Sequence, residues 1–242
     1  MTESQSKRVG WAIVALLLLS GVMISVLIYL GDWDLKLSSG FHDSGPGHTG
    51  WPIGKQSPWL EFYRFGEYPA IIMAVVALIL YLLTRVNRFP SKYSKSLLVI
   101  VLTVILGPGL VVNGILKPLW GRPRPADTVT FGGAYQYRGV FSPAGPNDGK
   151  SFVSGHCANA FAIASGVALF PYAPGLAGLF LGVGLAFGAL GCFARIVQGA
   201  HFLSDTLWSG VIVFSIIAWL YFCLFKIPAK IDDDTDDGSG HS

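Results

Sequence analysis

Residues 175–205 read GLAGLFLGVGLAFGALGCFARIVQGAHFLSD. From Gly175 to Ala194 the stretch carries no charged side chain. A helix needs about 20 apolar residues to cross the hydrocarbon core of a bilayer. The run stops at Arg195, His201 and Asp205 follow, and from Thr206 to Phe225 the chain is apolar again. This pattern predicts two membrane helices joined by an elbow that holds three ionisable side chains.

Four further stretches have the same character. Val9 to Leu30 and Tyr68 to Thr84 are uncharged; Ser96 to Leu116 is interrupted only by Pro108-Gly109, where a kink is expected; Ser151 to Phe170 carries His156 near its start. The expected architecture is all-α, a six-transmembrane-helix bundle forming one domain over residues 1–231. The acidic, Gly/Ser-rich residues 232–242 read as a solvated, disordered tail. The first span is too long for the apolar core of a signal peptide and lacks a clear small-residue cleavage site, so it reads as a retained anchor.

Composition agrees. Of 242 residues, 52% are hydrophobic and 13% charged, against about 25% charged in a soluble domain. The mean hydropathy is +0.55. An ordinary soluble fold and a disordered chain are both excluded, and a net charge of +3 is too small to make nucleic acid a partner. Cys157, Cys192 and Cys223 lie in apolar runs without metal or disulfide spacing, and read as small buried hydrophobes. Gly178, Gly182, Gly184 and Gly188 allow close helix approach; packing inside the bundle is the first reading and a homodimer seam the second.

Six spans put both termini on one side, with Lys7, Arg8, Arg85, Arg88, Lys92, Lys95, Lys226 and Lys230. The other side holds nine of the 17 basic residues, but Lys117, Arg122, Arg124 and Arg195 belong to a chemical cluster. Setting them aside places the termini in the cytoplasm and the long loops outside.

Three separate segments bring ionisable groups to that outer face: Lys117, Arg122 and Arg124; Ser154-Gly155-His156; and Arg195, His201 and Asp205. Singly they could be headgroup anchors, an interfacial histidine and a structural ion pair. Together they argue for a site, because ionisable groups near membrane depth cost free energy. His201 and Asp205, four apart, share a helix face, so the carboxylate is expected to hold one ring nitrogen and leave the other free. Ser154-Gly155 opens a helix whose first turn offers unpaired N–H groups to an anion. Arginine forks suit phosphate oxygens. The sum is a pocket for a tetrahedral oxyanion flanked by two histidines.

These residues resemble the type 2 phosphatidic acid phosphatase (PAP2) superfamily of membrane lipid phosphatases. Lys117-Pro-Leu-Trp-Gly-Arg-Pro-Arg124-Pro125 fits its first motif, Val153-Ser154-Gly155-His156 its second, and Ala194-Arg195-x5-His201-x3-Asp205 its third. Val153 stands where the family has proline and Ala194 where it has serine. The resemblance implies that His201 attacks phosphorus to form a phosphohistidine and that Asp205 orients it. His156 protonates the leaving oxygen and then activates water. Lys117, Arg124, Ser154, Gly155 and Arg195 bind phosphate, with Arg122 as a secondary candidate. No cofactor and no metal are expected, since the acids near the motifs are only Asp127, Asp148 and Asp205; His42 and His48 read as solvated.

A site at the membrane–water boundary favours a lipid phosphate in the bilayer. Phosphatidic acid, phosphatidylglycerol phosphate, polyprenyl diphosphate and lipid A 1-phosphate are all open. A phosphotransferase to a second lipid is the alternative enzyme, and a non-enzymatic binder of anionic lipid the alternative class. The family points to a bacterial inner membrane with a periplasmic site. The aromatics Trp33, Trp51, Trp59, Phe62, Tyr63 and Phe65 read first as an interfacial belt and second as a lid, and the Gly/Pro-rich run from Phe131 to Gly149 as a flexible loop over the headgroup.

Overall fold

The computed structural model describes residues 2–45, 50–143, 145 and 149–225. The tail at 232–242, His48, Asp148, Lys226 and Lys230 lie outside the described residues, as does part of the Gly/Pro-rich loop. Among the described residues the chain is helical and has no strand, only the isolated bridges Asp43–Gly50 and Thr128–Tyr135.

Five helical stretches among the described residues are long and apolar enough to cross a membrane: Glu3–Leu30, Trp59–Arg85, Ser91–Asp127, Pro174–Val197 and Leu203–Leu224. They contain helix α1 (Glu3–Leu30), α3 (Trp59–Phe65) with α4 (Tyr68–Arg85), α5 (Ser94–Val104) with α6 (Lys117–Trp120), α8 (Pro174–Val197) and α9 (Leu203–Ala218). Short α2 (Trp33–Ser39) follows the first span. The sixth apolar element, α7 (Gly155–Ala162) with a tighter turn over Ile163–Leu169, is shorter than the sequence predicts. Its expected first turn, from Ser151, is not helical: Ser151 is drawn into a carbonyl bond with His201 of the elbow and a side-chain bond with Asp205 of the last helix, and Ser154 caps the helix instead. Buried on almost every side, α7 meets little lipid and has no need of full spanning length.

The Pro108-Gly109 interruption is wider than a kink. From Ile105 to Leu116 the backbone winds with π-helical geometry, which absorbs the missing proline N–H. The Asn113 amide donates to the Pro108 carbonyl at 2.8 Å.

The core gathers where α4, α7, α8 and α9 meet, around Val112, Phe152, Val153, Ala158, Ala162 and Val213. Val153, the departure from the family proline, is wholly buried there. Gly184 and Gly188 press against Ala164 and Phe161 of the α7 element, whereas Gly178 and Gly182 have nothing beside them. The glycine spacing thus serves bundle packing in its second half. Cys157 and Cys192 are buried and Cys223 is partly exposed. At the end far from Lys117, Ser6 Oγ donates to the Phe222 carbonyl at 2.8 Å and Ser96 Oγ to the Ala168 carbonyl at 2.6 Å. The start of α1 and the end of the last helix therefore share one face of the bundle, and His201 with Asp205 lies at the other.

Candidate active site

The non-helical stretch before α7 and the elbow between α8 and α9 meet at His201. His201 Nδ1 donates to the Ser151 carbonyl at 2.7 Å. A carbonyl only accepts, so Nδ1 carries the proton and Nε2 is the nitrogen with a free lone pair. The sequence assigns this orienting task to Asp205, but its Oδ2 lies 3.9 Å from Nδ1. The reason is that Asp205 is already occupied. Its Oδ2 accepts from Ser151 Oγ at 2.6 Å and from the Phe202 N–H at 2.9 Å, and its Oδ1 accepts from Arg122 at 2.6 Å. Asp205 thus reaches the imidazole through Ser151.

His201 is buried, and Arg195, Lys117 and Arg124 add positive potential to it. Burial first and these cations second push its pKa well below the ordinary histidine range. The ring is therefore neutral at physiological pH, the form a nucleophile needs.

Arg122, the secondary phosphate ligand of the sequence reading, is a structural residue. It is wholly buried, and its Nη2 pairs with Asp34 at 2.7 Å. Its Nη1 donates to Asp205 and to Ser204 Oγ at 2.7 Å, and its Nε to the Arg138 carbonyl at 2.9 Å. With four of its five N–H donors committed and Phe202 packed 4.5 Å from Cζ, this wholly buried side chain is tied into the fold. Asp34, from α2, also accepts from the Ser204 N–H at 2.9 Å and from the Tyr137 hydroxyl at 3.3 Å. Burial and then the Asp34 charge push the Tyr137 hydroxyl pKa upward. Two carboxylates around one guanidinium lock α2, the loop before α7 and α9 together.

The remaining cations surround the histidines. Lys117 Nζ donates to Asn113 Oδ1 at 3.1 Å. A Cβ on Gly155 would come 2.8 Å from that same oxygen, so a side chain at this position would push the Asn113 amide away from Lys117. Ser154 Oγ accepts from the Cys157 N–H at 3.4 Å, which makes it the helix cap and leaves its proton to donate. Arg195 is buried; its Nη1 donates to Gln198 Oε1 at 2.6 Å, while its Nε has no hydrogen-bond partner among the described residues. A buried unpaired guanidinium donor fits an anion-binding role. Arg195 and Lys117 act electrostatically on both imidazoles, and Arg124 acts on His201. The three motifs therefore converge on one end of the bundle. Gly199, at a φ of +64°, lets the elbow turn against the buried Trp51 ring, which any side chain there would strike.

His156 carries contacts that no motif revealed. Its Nδ1 lies 3.1 Å from Glu67 Oε1 and its Nε2 3.1 Å from the Tyr63 carbonyl. The Tyr63 ring stacks on it at 5.5 Å and 19°, and the Arg195 guanidinium sits 4.9 Å from the same ring. Trp59 packs on Phe193 and Phe62 on Phe187. The aromatic stretch is therefore partly a cover laid over α8 and His156, although Trp33 and Phe65 remain exposed as a belt would be.

Comparison with known proteins identifies the family. The PAP2 superfamily pattern matches residues 96–228. The chain belongs to the PAP2 superfamily. It is 32% identical over 201 residues to a lipid A 4'-phosphatase of Francisella tularensis subsp. novicida (strain U112), covering 79% of this chain and 85% of the relative. A lipid A 4'-phosphatase of Rhizobium leguminosarum is 34% identical over 165 residues, 64% of this chain and 66% of the relative. One of Rhizobium etli is 34% identical over 145 residues, 60% and 55% of the two chains. No solved structure gives a significant match. This PAP2 protein is an integral membrane phosphoric ester hydrolase, a lipid phosphatase.

Proposed function

We propose that the chain removes a phosphate from a lipid headgroup without a metal, by way of a phosphohistidine on His201, and that the 4'-phosphate of lipid A is its first candidate substrate. The names of three relatives support that substrate over the others open to the sequence. The observation that carries the mechanism is the His201 Nδ1 bond to the Ser151 carbonyl, which commits the proton to one nitrogen beside three cations. The Nε2 lone pair forms the N–P bond as the P–O bond to the lipid breaks. His156 supplies the proton that the departing oxygen takes. Water then attacks phosphorus and gives its proton to His156, and the N–P electron pair returns to Nε2 as inorganic phosphate leaves. Arg195, Lys117, Arg124, the Ser154 hydroxyl and the Gly155 amide hold the non-bridging oxygens, where phosphoryl transfer gains most. Asp205 anchors Ser151, and through it His201.

We place the termini in the cytoplasm and the site on the periplasmic side of a bacterial inner membrane, on the charge pattern of the loops. Phosphate release from a panel of purified lipid phosphates, by wild type and His201→Ala with chelator present, tests the reading. Release by both proteins, or by neither with any lipid, overturns it. A newly phosphorylated lipid in place of free phosphate makes the enzyme a transferase.

A further inference from the structure

We propose that Glu67 is the positioning residue of His156, forming a second carboxylate–imidazole pair that serves departure of the lipid alcohol. The inference rests on the reading of His156 as general acid.

Glu67 comes from the junction of α3 and α4, a segment outside all three motifs. Its Oε1 sits 3.1 Å from His156 Nδ1, and the Tyr63 carbonyl 3.1 Å from Nε2. Both partners are acceptors, so the doubly protonated ring is the form that satisfies both contacts. The other charges bearing on the ring are Arg195 from α8 and Lys117 from α6, both positive. Burial disfavours the charged ring most and these cations add to it; Glu67 and the Tyr63 carbonyl are what oppose that loss of the proton. The stacked Tyr63 ring restricts tilting of the imidazole, and Glu67 fixes its rotation about the stack.

The Nε2 proton, which the Tyr63 carbonyl accepts in this structure, is the one the leaving oxygen must receive. As the P–O bond breaks, the Nε2 proton moves to the lipid oxygen and the ring becomes neutral, with Nδ1–H still on Glu67. When water attacks the phosphohistidine, its proton returns to Nε2 and the cycle closes. Glu67 itself changes neither protonation nor bonding.

The test compares two single-chain amphiphiles, dodecyl phosphate and 4-dodecyl-2-nitrophenyl phosphate, with the full-length protein in detergent. An alkoxide needs a proton to leave; a nitrophenolate leaves without one. Glu67→Gln should lose about 10–100-fold in kcat/KM on dodecyl phosphate and less than about 3-fold on the nitrophenyl ester, within the range of general acid catalysis. Glu67→Asp, which keeps the charge, should recover most of the alkyl rate. Equal losses on both esters, or an unchanged alkyl rate, overturn the inference. Glu67 is more than a third exposed, so Glu67→Ala serves as a second variant if the glutamine form fails to accumulate. His156→Ala separates the two levels. A loss confined to the alkyl ester there, but absent in Glu67→Gln, removes Glu67 alone. Equal losses in His156→Ala remove the general acid and the pair with it.

Discussion

Ser151 holds His201 through its main chain and Asp205 through its side chain, at 2.7 Å and 2.6 Å. One residue therefore passes the orientation of a buried carboxylate to the nucleophile. In a directly paired triad, changing Asp to Asn costs about 10⁴-fold because the histidine takes the wrong tautomer. Here the tautomer is set by a carbonyl that survives the change. Asp205→Asn should cost only about 10²-fold in kcat, since it removes an outer hydrogen bond rather than the tautomer lock. Ser151→Ala, which keeps the carbonyl, should cost about 10-fold on the same reasoning. Single-turnover rates on one lipid phosphate rank the variants. Asp205→Asn as damaging as His201→Ala would show that the carboxylate contacts the ring directly during reaction.

The Asp34–Arg122–Asp205 cluster predicts a loss of folding stability. Breaking a buried ion pair by removing one partner costs about 3–5 kcal/mol, because the other charge stays buried. Asp34→Asn and Arg122→Met should each lower the unfolding temperature in detergent by an amount consistent with that range. Arg122→Lys should fall near Arg122→Met, since an ammonium cannot span Asp34, Asp205 and Ser204 with one planar fork. Whatever activity Arg122→Lys retains should show a near-normal KM. A selective rise in KM at unchanged stability would return Arg122 to the phosphate-binding set.

How much of this was legible in the sequence differs from residue to residue. The spans were, because burial in lipid demands uninterrupted apolar runs, and the 175–205 elbow carries its polar groups at helical spacing. The motif positions were legible as a set, but not their division of labour. Lys117, Arg122 and Arg124 look alike in an eight-residue window, and what pairs with the buried Arg122 is Asp34, 88 positions earlier. Glu67 was missed for a similar reason, although an acid directly before the second span, on the face crowded with cations, was a signal available to be read. The shortened α7 was hidden because Ser151-Phe-Val-Ser154 is apolar enough to continue a span, and its non-helical form depends on bonds to residues 50 and 54 positions on.

The lowered pKa of His201 has consequences of definite sign. The folded protein resists protonating this ring, while the unfolded chain takes up a proton near pH 6.5. Between those two values the unfolded state binds more protons, so stability falls as pH drops below about 6.5 and levels off once the folded ring protonates. Thermal melts of wild type and His201→Gln from pH 8 to pH 5 should diverge in this window, with the glutamine variant flatter. For activity, the nucleophile stays neutral on the acid side of the ordinary histidine range, so loss of kcat/KM through His201 should set in below pH 6.5. An acid limb centred at the ordinary histidine value and abolished in His201→Gln stability data alike would contradict the buried, cation-flanked placement.

Arg195 supplies the remaining prediction. Its buried Nε has no partner among the described residues while Nη1 is tied to Gln198, so the guanidinium is pinned with its Nε–H unspent. An anion that satisfies that donor should stabilise the fold by mass action. Orthovanadate, which adopts the five-coordinate geometry of phosphorus under attack, should inhibit and should raise the unfolding temperature of wild type. Arg195→Lys keeps the charge but loses the fork. It should lose about 10²–10³-fold in kcat/KM, the usual cost of removing one donor to a developing oxyanion, together with the vanadate-induced stabilisation. Gln198→Ala, which frees Nη1 without removing charge, should lose less than Arg195→Lys on both measures. All of these values should be the same with and without excess EDTA, because arginine and lysine, and no divalent ion, carry the phosphate charge in the proposed mechanism. Activity that disappears on chelation and returns with a divalent cation would assign that charge to a metal and defeat the reading.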